Sequence, residues 1–290
     1  MRASLLTPIV EAAHACNLRV AAHVETATAR EACQAGVDSL ERLVNAIEPA
    51  WTPRHAPELY PGAVGRLRRW AYVDLGSDHV TDFVDLVCAQ QVTLVPTLLA
   101  SRRRVLLDEV INEPYLDYMV AVMPYHRFFK GMRNAVGYAI GKRFLNRHIP
   151  FPHLDKAAQH EIDQGWQRLR QLMRLLHQRG ARMVPGSDSP TPSVVPGFGL
   201  HQELREWVAC GIPPLAVLAA ATAHAADFLG LERVGRIRPG ASADLLLVDG
   251  DPDCAIEALA APDNQVICRG QRIDRAALKA AIMARVKELE

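Results

Sequence analysis

Residues 181–190 read Ala-Arg-Met-Val-Pro-Gly-Ser-Asp-Ser-Pro, a short apolar run followed by a turn-prone cluster. The first five residues have the length and composition of a buried strand, so the carboxylate of Asp188 comes just after the strand's carboxyl end. In parallel α/β proteins, ligands and catalytic groups collect at that edge of the sheet. The alternative is a capping aspartate in an ordinary strand-to-loop turn. The stretch therefore predicts a parallel α/β fold in which Asp188 is a candidate site residue.

Similar strand-like runs occur upstream, and helical patterns separate them. The predicted strands lie at about residues 18–24, 37–42, 92–98 and 181–187. The predicted helices lie at 8–16, 26–34, 80–90, 161–179, 215–229 and 276–289. Strands that alternate with helices at this spacing are typical of βαβ units and a parallel sheet.

Two segments interrupt the alternation of strands and helices, and the C-terminal region has a different pattern, typical of a hairpin. Residues 48–78 show no clean period and are predicted to be a loop or insertion. Residues 101–160 form a basic, aromatic, mainly helical insertion that is expected to be a solvated helical face, a phosphate-binding patch being the alternative. The run 266–273 contains a turn-prone glycine that favours a hairpin. The predicted domains are residues 1–232, a partial barrel with helical insertions, and residues 233–290, a β-sandwich segment with a closing helix.

Composition excludes several classes of partner. The 290 residues are 49% hydrophobic and carry a formal net charge of +1, so no global field favours nucleic acid or a membrane surface. The six cysteines are scattered without a C-x-x-C pair, which is typical of reduced thiols in the cytoplasm. The N-terminus lacks the apolar core of a signal peptide, and no apolar run approaches membrane-spanning length. We therefore expect a soluble cytoplasmic protein.

Four groups of residues carry a more specific pattern. They are Val20–His23, Ala35–Glu41, Gly186–Ser189 with Leu200–Leu204, and Ala220–Thr222 with Pro239–Leu245. The last group belongs to a run that reads Gly-x-Ile-x-Pro-Gly-x-x-Ala-Asp-Leu. Together they resemble the amidohydrolase superfamily, and within it the imidazolonepropionase and Xaa-Pro dipeptidase-like branch.

The resemblance implies a metal-binding (β/α)₈ barrel with a small β-sandwich. By this resemblance the chain begins just before the fifth barrel strand, so we expect a partial TIM-like barrel of strands 5–8 and the C-terminal segment of the sandwich. The implied substrate is a small-molecule amide whose carbon–nitrogen bond is hydrolysed. Zinc or another divalent metal would supply the attacking hydroxide, and Asp188 would relay the proton to the leaving nitrogen.

The family's metal ligands match this chain only in part. The resemblance places His23 at the fifth-strand ligand position and Asp188 at the eighth, but Arg42 stands where the sixth-strand histidine is expected. No His-x-His occurs anywhere, and no lysine matches the fourth-strand ligand. A guanidinium has no lone pair for a metal, and two ligands are too few for a catalytic site.

This mismatch leaves several interpretations open. The chain itself could hold no metal, and the missing ligands could come from an N-terminal half before Met1 or from a second subunit. A degenerate copy of the enzyme is a further interpretation. The competing function is a non-catalytic half-barrel, either an inactive remnant or a binding module.

Other polar residues near these motifs are weaker candidates. Glu41 is predicted to be a structural or rim carboxylate. His201 and Glu203 open the helix after the last strand, where they could line the pocket or simply occupy an ordinary helix start. Ser187 and Ser189 lack the G-x-S-x-G elbow of a serine nucleophile. The histidines given no role are His79, His126, His148, His153, His160 and His177.

Overall fold

The protein is described here from a computed structural model. The described residues are 3–52, 62–123, 126–134, 136–141, 154–191 and 194–289.

The first sheet is parallel and lies at the centre of the fold. Its strands are β1 (Ala21–Ala22), β2 (Ser39–Glu41) and β3 (Thr93–Val95), in the spatial order β1-β2-β3. Met183 extends the sheet beyond β3 as a single parallel bridge to Leu94. The predicted parallel α/β arrangement is confirmed, but each strand is shorter than predicted.

The helices occupy the connections between strands and most of the remaining chain. In chain order they are α1 (Leu6–Ala15), α2 (Ala29–Gln34), α3 (Gly62–Trp70), α4 (Asp78–Ala89), α5 (Leu98–Arg103), α6 (Leu107–Ile111), α7 (Leu116–Val122), α8 (Arg127–Gly131), α9 (Lys156–Gln178), α10 (Phe198–Ala209), α11 (Pro214–Ala219), α12 (Ala225–Leu229) and α13 (Arg275–Leu289). One turn of π-helix, Ala220–His224, joins α11 to α12. In the part of the chain that the structure describes, no helix is both long and apolar enough to cross a membrane.

The segment 48–78 contains a core helix, so the prediction of a loop there is wrong for α3. Leu67 and Trp70 of α3 are buried, and α3 packs against α9. Gly165 of α9 permits this approach, because a Cβ there would lie 1.9 Å from the Leu67 carbonyl oxygen. Three arginines interrupt the apolar pattern of α3, which hides its helical period from a reading of the sequence. Residues 53–61 lie outside the described residues.

The segment 101–160 is helical as predicted, but its aromatic residues do not face solvent as a group. Phe129 is 8% exposed and His126 is buried, which corrects the prediction of a solvated face there. Phe129 belongs to a second apolar region beside the main core, with Leu116 and Met119 among its buried members, and the His126 ring lies 5.7 Å from the Phe129 ring. The physical reason is that the apolar side chains of α6, α7 and α8 converge on one another. The basic residues of 142–150 lie outside the described residues.

The C-terminal region forms a separate antiparallel sheet of β4 (Leu245–Leu247), β5 (Gln265–Cys268) and β6 (Gln271–Arg272). The predicted hairpin is confirmed between β5 and β6. Its turn residues Arg269 and Gly270 have φ of 49° and 79°, the left-handed pair that a tight type I′ turn requires. The closing helix α13 packs against α7. The domain boundary at 232/233 remains a prediction.

Candidate functional site at the carboxyl edge of the sheet

The carboxyl ends of the parallel strands bring four polar residues to one edge. His23 follows β1, Arg42 follows β2, Thr97 follows β3, and Asp188 follows the Met183 bridge. Three of these four have left-handed backbone, with φ of 60° at Arg42, 46° at Thr97 and 52° at Asp188. Non-glycine residues rarely adopt this conformation, and it clusters at functional sites. These left-handed residues also limit how far the strands extend.

Arg42 forms an ion pair with Asp188 across this edge. The guanidinium Nη2 donates to the Asp188 Oδ2, and the two side chains are 14% and 29% exposed. The carboxylate that the family resemblance assigns to metal binding is therefore engaged by a cation from the neighbouring strand end. A charge-assisted contact of this kind, partly withdrawn from solvent, is stronger than an exposed surface pair.

The His23 side chain also has a partner, Asn45. The Asn45 amide nitrogen lies 2.6 Å from the Nε2 of His23. Because an amide NH₂ group only donates, the Nε2 lone pair accepts this hydrogen bond. Partial burial lowers the pKa of His23, and the positive charge of Arg42 lowers it further. The imidazole is therefore neutral near pH 7, with its Nε2 lone pair already used.

One short segment supplies both partners. Arg42 precedes a 3₁₀ turn, Leu43–Ala46, that contains Asn45, and the Asn45 N–H donates to the Arg42 carbonyl at 2.8 Å. The Leu43 side chain is buried, and the buried Trp70 indole donates to the Val44 carbonyl at 3.0 Å. The segment is thus fixed to the core. Sequence reasoning missed Asn45, although residues three apart in a 3₁₀ turn lie on the same side.

Glu41 lies beside the ion pair. Burial raises the pKa of its carboxyl group, a hydrogen bond from Ser39 Oγ at 2.8 Å opposes that rise, and the negative charge of Asp188 adds to it. That Glu41 is a structural or rim carboxylate remains a prediction. Its position next to Asp188 makes Glu41 part of the electrostatics of this edge.

Two further arginines reach the same region, and sequence reasoning missed both. The positive charges of Arg104 and Arg66 each contribute to the lowered pKa of His23. The Nε atoms of Arg66 and Arg104 are buried and make no hydrogen bond to any described residue. Arg66 lies 3.8 Å from a carboxylate oxygen of Glu25. Both arginines lie in the predicted insertions, 48–78 and 101–160, which contain no recognisable motif.

Glu203 and His201 do not join this cluster. Glu203 is fully buried and accepts hydrogen bonds from the backbone N–H groups of Leu98 and Leu99, at 3.0 and 2.8 Å, and from the Trp207 indole at 3.1 Å. Burial raises its pKa to about 7. It thereby holds the first turn of α5 against α10. Burial, followed by the charges of Arg205 and Arg275, lowers the pKa of His201.

The residues at the edge do not fit a metal ion. Of the two predicted ligands, Asp188 is paired with Arg42 and His23 with Asn45. In the described part of the chain, no three His, Cys, Asp or Glu side chains come together as a set that could hold a metal. A catalytic zinc site normally has three protein ligands and an open position. A fixed guanidinium beside Asp188 would also repel a cation there.

A cavity of about 810 Å³ lies at the opposite, amino edge of the sheet. Asp38, Thr93 and Met183 line it, together with Ala220 and His224 of the π-helical turn. None of His23, Arg42 and Asp188 faces this space. In parallel barrels the chemistry lies at the carboxyl edge, so the candidate site is the strand-end cluster and not this cavity.

The chain belongs to the Amidohydrolase family, whose sequence model matches residues 2–273. This finding confirms the resemblance at the level of the family. Whether the chain corresponds to strands 5–8 of the barrel remains a prediction. No curated protein sequence matches the chain.

Solved structures with similar folds include amide-cleaving enzymes. A Xaa-Pro dipeptidase with bound methionine is 19% identical, with a TM-score of 0.54 over 94% of this chain and 49% of its own. A bottromycin amidohydrolase is 23% identical, with a TM-score of 0.60 over 97% and 55%. A putative prolidase from Bifidobacterium longum is 20% identical, with a TM-score of 0.55 over 100% and 55%. At these identities the likeness establishes the fold, and the chain spans about half the length of each.

Proposed function

We propose that this chain binds small molecules containing an amide bond, and that metal-dependent hydrolysis of that bond is impaired in the chain as it stands. Family membership supports the amide as substrate class. The ion pair between Arg42 and Asp188 is the observation that supports impaired hydrolysis. It occupies the carboxylate that would otherwise both hold a metal and relay a proton to the leaving nitrogen.

A form of the protein with the complete set of metal ligands would have a wider function. We infer that a form supplying the remaining ligands would close a TIM-like barrel and hold zinc or another divalent metal at the carboxyl edge, where His23 and Asp188 lie. The metal would supply a nucleophilic hydroxide for cleavage of a carbon–nitrogen bond. Those ligands would come from an N-terminal half or a second subunit. The six unpaired cysteines support a cytoplasmic location.

Metal content and hydrolysis test the impairment. After equilibration with zinc and dialysis, the wild-type chain should hold little metal. In Arg42→His the fixed charge is replaced by a ligand, so zinc retention should rise. Arg205→His on α10 is a matched control and should retain no more zinc than wild type. One tightly held zinc per wild-type chain, with hydrolysis of a Xaa-Pro dipeptide, would overturn the proposal.

A longer form of the protein that supplies a His-x-His strand separates catalysis from binding. In that form Arg42→His should restore both metal binding and hydrolysis of the dipeptide, and adding His23→Ala should abolish both. If the longer form with Arg42 intact hydrolyses the dipeptide at full metal occupancy, and Arg42→His changes neither property, the account of the defect is wrong.

The second candidate function is a non-catalytic binding module. The Arg104 side chain favours it, because Arg42 and Arg66 are paired with Asp188 and Glu25 while Arg104 forms an ion pair with none of the described residues. If Arg42→His restores zinc in the longer form and the dipeptide stays intact, while the dipeptide still binds, this second function holds.

A further inference from the structure

Arg104 lies within electrostatic range of two other guanidinium groups at the strand ends. Arg104 is in electrostatic range of both Arg42 and Arg66, and the carboxylates in the same range are Asp188 and Glu25. Asp188 is already paired with Arg42, and the Glu25 side chain is 60% exposed, 3.8 Å from Arg66. Arg42 and Arg66 therefore each lie beside a carboxylate, whereas the Arg104 guanidinium forms an ion pair with none of the described residues.

Several side-chain hydrogen-bond donors in this region also lack an acceptor. The Arg104 side chain makes no hydrogen bond and no ion pair to any residue within the described ranges, and its Nε atom is buried. The Nε of Arg66 and the Oγ1 of Thr97 are buried and unpartnered as well. Buried polar groups are normally hydrogen-bonded, so several unpartnered donors in one region indicate that a ligand satisfies them.

The other groups at the edge would not oppose an anion. Arg42 neutralises Asp188, and His23 holds its Nε2 lone pair towards Asn45. The Glu41 carboxylate accepts a hydrogen bond from the Ser39 Oγ at 2.8 Å, and burial raises its pKa. A planar guanidinium presents paired donors that match the two oxygens of a carboxylate or phosphate.

We propose that the carboxyl edge of this sheet is an oxyanion site, in which Arg66 and Arg104 bind the carboxylate or phosphate group of a small molecule. The family resemblance places a metal cation at this edge, whereas this chain would bind an anion there. Arg42 acts as a positioning residue, because its ion pair keeps Asp188 from repelling the anion. The site does not depend on hydrolysis, so its test is separate from that of the amide-binding proposal.

Calorimetric titration with four probes at constant ionic strength tests the site. The probes are inorganic phosphate, N-acetylglycine, its neutral counterpart N-acetylglycinamide, and chloride. N-acetylglycine or phosphate should bind, and chloride should not. Binding of N-acetylglycine alone identifies a carboxylate ligand, and binding of phosphate alone identifies a phosphate ligand. Equal binding of N-acetylglycine and N-acetylglycinamide would show that the amide and not the charge is recognised, which overturns the oxyanion site.

Variants assign the binding to named residues. Arg104→Ala and Arg66→Ala should each weaken binding of the active probe by about tenfold to a hundredfold. Arg104→Lys should recover only part of this loss, because an ammonium lacks the paired donors. Arg285→Ala, which removes an exposed arginine on α13, should bind as wild type does. Circular dichroism checks that each variant is folded. No binding of either oxyanion up to about 10 mM, or unchanged affinity in both folded alanine variants, would refute the site.

Discussion

Glu203 gives the stability of this protein a distinctive dependence on pH. Its carboxyl group is fully buried, and burial raises its pKa from the ordinary value of 4.5 to about 7 on folding. Between those two values the folded state holds a proton that the unfolded state has lost. The free energy of unfolding should therefore fall as pH rises from 4.5 to 7, and Glu203 should cause no further change above that.

The magnitude follows from the same two pKa values. At 1.36 kcal/mol per pH unit, the interval between 4.5 and about 7 corresponds to about 3 kcal/mol. Glu203→Gln is neutral at every pH and should lack this loss. It should, however, be less stable than wild type in acid, by about 1–3 kcal/mol, because its NH₂ group replaces one carboxyl oxygen and cannot accept the hydrogen bond that Leu98 or Leu99 donates there.

Urea unfolding at a series of pH values between about 5 and 8 measures the effect. As pH rises over that range, wild type should lose most of the 3 kcal/mol, whereas Glu203→Gln should not. The stability advantage of wild type over the variant should therefore shrink or reverse. Glu11→Gln on the exposed face of α1 is the control and should keep the wild-type slope. If the wild-type and Glu203→Gln curves are parallel, Glu203 does not bind a proton on folding and the reasoning fails.

Further predictions concern the core, a helix cap and the electrostatics of the site. Gly165→Ala places a Cβ 1.9 Å from a backbone oxygen and should destabilise the protein by about 1–3 kcal/mol in urea unfolding, whereas Gly131→Ala, with nothing within 4 Å, should not. Thr28→Ala removes the capping box of α2 and should lower the free energy of unfolding by about 1 kcal/mol; an unchanged midpoint would contradict this. Arg42→Ala removes a positive charge and should raise the pKa of His23, measured by NMR titration; no rise would refute the electrostatic account.

The sequence determined the alternation of strands and helices and the residues at the strand ends. Asp188 follows an apolar run, and apolar runs that end in turn residues become strands because their side chains are buried on both faces of a parallel sheet. The residue after each strand must then lie at the common carboxyl edge, as His23, Arg42 and Asp188 do. The family pattern in 235–245 and the absence of His-x-His are likewise properties of the sequence alone.

Tertiary structure alone decided what those residues do at the edge. Arg42 and Asp188 are 146 residues apart, and His23 and Asn45 are 22 apart, so neither partnership has a periodic signal in the chain. Arg66 and Arg104 reach the same edge from segments without a motif, and their charges matter only because folding removes water around them. A sequence lists the charges, but which of them are paired and desolvated depends on distances that only packing fixes.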